Sequence, residues 1–138
     1  MGEAAGAGGV FSHASLRWFP HDADAAFDPK CRLVIRSLGP AGYGRYWLLM
    51  EALATEEGHA LRADTERDMT LLGPVLELDS AQEVSDFLRR LTELGLVYVR
   101  DGCVRSHRMD RNAEYFGGQR KGGSKGGRRR ATRASGDS

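Results

Sequence analysis

A chain of 138 residues, 41% of them apolar and 28% charged, holds one domain with its tails, and no apolar run approaches the roughly 20 residues of a membrane span. The net +1 joins two unlike parts: from Gly117 on, seven basic groups face Asp137 alone, a net +6, while residues 1–116 carry 13 basic and 18 acidic groups, a net −5. An acidic body with a basic arm speaks of partners rather than of catalysis, and the start, with Glu3 and no apolar segment directly behind it, is not expected to act as a signal peptide.

Residues 1–16 are rich in Gly and Ala and unpatterned, and are expected to be a flexible N-terminus. The folded domain is expected over 17–116 and a basic Gly-rich tail over 117–138. Trp18-Phe19-Pro20 reads as extended, because Pro20 disfavours a helical Phe19. A first helix follows, with Asp28 as its cap and Pro29 in its first turn. Its apolar face is Cys31, Val34, Ile35 and Leu38, and Gly39-Pro40 stops it. The second helix carries Tyr43, Tyr46, Trp47, Met50, Leu53 and Ala54 on one face, the expected centre of the core. Gly58 ends it, and His59-Ala60-Leu61 suggests a short strand.

A weaker helix is expected over Thr65–Leu72, interrupted by Gly73-Pro74, with one further turn to Leu76. Ser80, with Glu83 three residues on, opens the next helix as a capping box. Val84, Phe87, Leu88, Leu91 and Leu94 line its inner face, and Gly95 closes it. Asp101-Gly102 is a two-residue hairpin turn. It sets Arg100 opposite Cys103, Val99 opposite Val104, Tyr98 opposite Arg105 and Val97 opposite Ser106. Val97, Val99 and Val104 then share one face, and Tyr98, Arg100, Cys103, Arg105 and His107 the other. Met109 to Phe116 is expected to form a short helix or turn against the body. The fold class is therefore mainly α within α+β: a winged helix-turn-helix, with a C-terminal β-hairpin wing and a flexible basic tail. The helix from Ser80 to Leu94 takes the recognition position.

The residues Phe19, Pro20, Asp22, Asp28-Pro29-Lys30, Gly39, Gly42-Tyr43-Gly44, Tyr46-Trp47 and Leu49 carry a further signal, with the stretch Phe87–Val99 and the Lys/Arg-Gly-Gly run of the tail. Together, over roughly Trp18 to Gln119, they resemble the N-terminal winged-helix domain of DnaD-like phage and bacterial replication initiation proteins. The resemblance implies DNA binding or protein contacts in replication initiation, in a phage or prophage setting. Longer members of that group carry a second domain, whereas residues 117–138 are expected to be a tail.

Candidate nucleic-acid contacts are Arg89 and Arg90 on the recognition helix, Tyr98, Arg100 and Arg105 on the wing, and Arg120, Lys121, Lys125, Arg128, Arg129, Arg130 and Arg133 on the arm. Cations on a flexible arm displace the counterions condensed on DNA, which is the main source of non-specific affinity. Gln82, Glu83, Asp86 and Glu93 share the helix surface with the two arginines, so a solvated mixed-charge face is as good a reading there as base readout. Duplex DNA stands ahead of single strands as partner, and no membrane contact is expected. Cys31 and Cys103 are far apart and match no ligand spacing, which suits reduced thiols in the cytoplasm, with nucleoid association through the arm.

His21, Asp22, Asp24 and Asp28 read as turn and cap residues rather than as a metal site. "GYGR" lacks the spacing of a phosphate loop; Gly42 and Gly44 are expected to let the first two helices approach. No nucleophile–base pair is visible, so the expectation is a non-enzymatic protein without a cofactor. A second reading is a protein-interaction module that docks on a host replication, repair or defence protein. A third, an RNA- or ribosome-associated protein, rests on tail charge alone.

Overall fold

The computed structural model of the chain describes residues 13–117. Helix α1 spans Pro29–Thr55 but breaks at Gly39, whose φ of 77° and ψ of 175° lie outside helical space. The two helices expected from sequence are thus its two limbs. Asp28 caps the first, accepting from the N–H groups of Lys30 (3.1 Å) and Cys31 (3.3 Å). The backbone at Gly39 sits where essentially only glycine goes without strain. Gly39→Ala should therefore destabilise the fold by about 1–3 kcal/mol, read from urea midpoints; an unchanged midpoint would mean that the bend tolerates a side chain. Gly42 allows the limbs to meet, since a Cβ there would fall 2.3 Å from Leu38 Cβ, whereas Gly44 faces open space and does not serve that purpose.

Strand β1 is Leu61–Arg62, and helix α2 is Glu66–Leu76. Thr65 caps α2 by accepting from Asp68 N–H at 3.1 Å, and the Asp68 carboxylate returns the favour to Thr65 N–H at 3.1 Å. The expected interruption at Gly73-Pro74 does not occur: α2 runs through both residues to Leu76. Leu78 then turns back and donates its N–H to the Gly73 carbonyl. A Cβ on Gly73 would lie 2.8 Å from the Leu78 carbonyl oxygen, so that glycine serves the turn after the helix.

Helix α3 is Ala81–Glu93. Ser80 Oγ accepts from Glu83 N–H, but the Glu83 carboxylate accepts from Asp79, one residue before the expected partner. Strands β2 (Val97–Arg100) and β3 (Cys103–Ser106) pair in the register read from sequence. Asp101 and Gly102 both have positive φ, 54° and 75°, as a tight hairpin turn demands. β1 pairs with β3 on its other side, so the antiparallel sheet runs β1–β3–β2. Of the expected valine face, Val97 and Val104 are buried, but Val99 near the tip is 52% exposed.

Helix α4 is described over residues 107–117. Ser106 ends β3 and starts α4: its Oγ accepts from Arg108 N–H (3.1 Å) and Met109 N–H (3.2 Å). His107 therefore begins a helix instead of prolonging the strand face. Met109 and Ala113 of α4 are completely buried. The core gathers Tyr46, Leu49, Met50 and Leu53 of α1, Leu76 of α2, Val84 and Leu91 of α3, and Val97 and Val104 of the sheet. The architecture is α+β and mainly helical. Among the described residues no helix is long and apolar enough to cross a membrane.

Residues 13–16, within the segment expected to be flexible, are bonded to the body. Residues 13–16 lie along the end of α1, with Leu16 N–H on the Ala54 carbonyl (2.7 Å), Gly58 N–H on the His13 carbonyl (2.7 Å) and Ser15 Oγ on Thr55 (2.7 Å). His59 locks this strap. It is fully buried, and its Nε2–H donates to the Ala14 carbonyl at 3.0 Å.

Candidate nucleic-acid interface

On α3 the two expected contact arginines turn to their own helix. Arg89 pairs with Asp86 at 3.0 Å, and Arg90 pairs with Glu93 at 3.0 Å. Gln82 also donates to Asp86. These are exposed pairs three residues apart, worth little to stability. Their effect on the surface is clear, however: each cation carries an anion beside it.

The hairpin is different. Arg100 is exposed, and its guanidinium lies 5.1 Å from the centre of the Tyr98 ring. Tyr98 donates its hydroxyl proton to Asp110 of α4 at 2.5 Å. Burial, and then this bond and the Asp110 charge, push the Tyr98 hydroxyl up to about 12, so it stays protonated through the neutral range. Arg105 is half-buried and donates to the Gly58 carbonyl at 3.1 Å, which fixes its stem beneath the sheet.

Between the hairpin and α4 lies a groove of about 480 Å³. It is lined by Tyr98, Arg100, Arg105 and His107, with Asp110, Arg111 and Glu114 on α4 and His13 on the strap. Three of the expected residues (Tyr98, Arg100 and Arg105) thus meet in one place, whereas Arg89 and Arg90 stand apart on α3. His13 and Arg111 were not foreseen. Arg111 was legible as an outward position of the expected last helix. His13 lies 97 positions from its partner Asp110, which it meets at 3.3 Å, and no local pattern announces that contact. The expected arm contacts Arg120, Lys121, Lys125, Arg128, Arg129, Arg130 and Arg133 lie outside the described residues.

The far side of the hairpin is tied down. Ala63 N–H donates to the Gly102 carbonyl at 2.9 Å, and Arg62 reaches the Asp101 carbonyl at 3.4 Å. Arg62 also lies 3.7–3.8 Å from Asp64 and Asp68. The tip therefore carries carboxylates, and the cations face the groove.

The strap that supplies His13 depends on protonation. His59 is sealed from solvent with Nδ1 unpartnered, and burial holds its pKa below the ordinary 6.5 despite the Ala14 bond that opposes the shift. The unfolded chain therefore takes up a proton in acid that the folded chain resists. The stability tied to neutral His59 is present above about pH 6.5 and drains away as pH falls. Denaturation midpoints taken on either side of that pH should fall in acid for the native chain and fall less for His59→Gln. Parallel slopes would remove His59 from the account.

Residues 18–109 match the model of a family described as Lin1244/Lin1753-like, N-terminal. No curated protein and no solved structure matches the chain. With two thirds of its length inside that match, the chain belongs to the Lin1244/Lin1753-like N-terminal family.

Proposed function

We propose that the protein is a non-enzymatic, winged-helix DNA-binding protein that holds duplex DNA through the groove face of its hairpin and its basic arm. The carrying observation is the meeting of Arg100, Arg105 and Arg111 around Tyr98 in one groove. The helix that forms one wall of that groove is described as far as residue 117, and seven basic residues follow in sequence. The order of helices and strands, with a three-stranded sheet ending in the Asp101-Gly102 hairpin, supports the winged-helix reading. The likeness of Trp18–Gln119 to DnaD-like proteins supports a role in phage or prophage replication initiation.

The paired state of Arg89 and Arg90 shifts weight from the recognition helix to the hairpin and arm. Phosphate contacts of this kind position a protein on DNA without reading its sequence. The test is duplex affinity against salt for the full chain, for the chain lacking residues 118–138, and for Arg100→Ala.

A second reading has its own support. Leu71 and Val75, four residues apart on α2, are 61% and 40% exposed. An apolar pair on an acidic body suits docking on a host replication, repair or defence protein. Loss of all duplex binding with the arm, together with a stable complex between the armless chain and such a protein that Leu71→Asp abolishes, would favour it.

A further inference from the structure

The groove around Tyr98 is close to electrical balance. Arg100, Arg105 and Arg111 bring three positive charges to it, and Asp110 and Glu114 bring two negative ones. The other ionisable groups of the lining are Tyr98, which stays protonated, and two histidines, His13 and His107. Histidine is the side chain that gains charge between about pH 8 and about pH 6, while arginine and the carboxylates keep theirs. With both rings protonated, the net charge of the lining goes from +1 to +3.

Both rings are placed to act on a bound anion. The side chain of His13 is 29% exposed, and its Nε2 lies 3.3 Å from Asp110 Oδ1, while the other Asp110 oxygen accepts from Tyr98. A proton on His13 therefore offsets the Asp110 charge at close range. His107 is exposed, and its ring lies 4.8 Å from the Tyr98 ring. The second cavity that His107 lines holds Asp28 together with Lys30 and Arg108, so no excess of carboxylates neutralises a proton there.

The strap stays in place while this happens. Two ionisable groups face it from the segment after α1: Glu57, which accepts from Ser15 N–H at 3.4 Å, and His59, whose ring meets that of His13 edge-on at 5.2 Å. Burial keeps His59 neutral to lower pH than an ordinary histidine, and charge on His13 acts in the same direction. The bond from His59 to Ala14 is thus kept in mild acid. Only further into acid does a proton on His59 free the strap and withdraw His13.

We propose that His13 and His107 make the groove a proton-regulated seat for the phosphates of duplex DNA, nearly neutral in mild alkali and cationic in mild acid. This regulation rests on duplex binding at the groove. Lysine and arginine keep their charge throughout the range, so the arm contributes equally at each pH. Of the chain's four histidines, His21 and His59 lie outside the groove lining.

The experiment measures duplex affinity at about pH 8 and about pH 6, at constant ionic strength, for the full chain, His13→Gln, His107→Gln and the double variant. His21→Gln is the control, and circular dichroism checks the fold of each protein at both values. The full chain should bind about tenfold tighter in mild acid, and its slope of log affinity against log salt should steepen by up to about two, since each phosphate neutralised adds roughly 0.9. Each single variant should lose about half of that steepening and the double variant all of it, whereas His21→Gln should keep it. His107→Lys fixes a charge at the site and should bring the affinity in mild alkali towards the acidic value. A native affinity that stays level or falls in mild acid would overturn the regulation, as would a pH response that survives in the double variant; duplex binding itself would stand in both cases. Duplex binding indifferent to Arg100→Ala at both values, or no duplex binding at all, sinks the groove reading and the regulation together.

Discussion

Trp47→Ala should lower the stability of the fold by about 3–5 kcal/mol, the usual cost of emptying a large aromatic site. Trp47 is 8% exposed and stands at the centre of a ring cluster. Tyr46 and Tyr43 pack edge-on to it at 5.4 and 6.2 Å, His21 stacks at 3.7 Å and Phe19 lies parallel at 6.2 Å. The Arg108 guanidinium sits 5.1 Å from its ring centre. Truncation removes the surface against which the segment 18–22, α1 and α4 all pack, and the cavity cannot close from one side. Trp47→Phe keeps a ring and should cost less than half as much. Urea denaturation followed by circular dichroism measures both variants. A loss below about 1 kcal/mol for Trp47→Ala would mean that the cluster is loosely packed, since surface substitutions fall in that range.

The second large effect concerns affinity. Removal of residues 118–138 should weaken duplex binding at low salt by about 100-fold or more, and should flatten the slope of log affinity against log salt by up to about six. Each phosphate neutralised on B-DNA contributes roughly 0.9 to that slope, and the segment holds seven cations. Arg100→Ala should flatten the slope by about one. Replacing Arg89 and Asp86 together by alanine should leave it unchanged, because the pair presents no net charge. Filter binding across a salt series gives all four values. An unchanged slope for the shortened chain would remove the arm from DNA binding and leave the protein-docking reading in front.

Much of the fold was open to inspection in the sequence because its signals are local. The hairpin register follows from one dipeptide, Asp101-Gly102, and every expected pair is found. The cap at Asp28 and the break at Gly39 follow from residue types with narrow conformational preferences. Two of the departures have a clear physical cause. At Gly73-Pro74 a general rule about helix breakers lost to tertiary packing, since Leu76 beyond it is fully buried and holds the helix to the core. At Ser106 a strand was extended by one residue because the alternating pattern was followed past a helix cap.

Several residues of the motif that carries the family resemblance have structural roles. Lys30 donates to the Gly95 carbonyl at 2.8 Å, joining the start of α1 to the end of α3. Arg45, the variable position inside the motif, donates to the Leu76 carbonyl at 2.7 Å, a cation at the end of α2 where free carbonyls favour one. Tyr46 and Trp47 are core. The residues that gather at the groove come from segments far apart in the chain; those on the hairpin, and Arg111 on the outer side of the expected last helix, can be read locally, whereas His13 cannot. What composition could not tell was which arginines were already spoken for: Arg89, Arg90 and Arg62 have carboxylate neighbours, and Arg100 faces a ring.

The contacts of His13 with Asp110 and of Trp18 with Phe116 place the two ends of the described chain side by side. The twelve residues before His13 and the twenty-one after Gly117 are therefore tethered to a common side of the molecule. A handle attached directly to His13 would stand at the groove around Tyr98, which His13 lines, and would itself lower any affinity measured there.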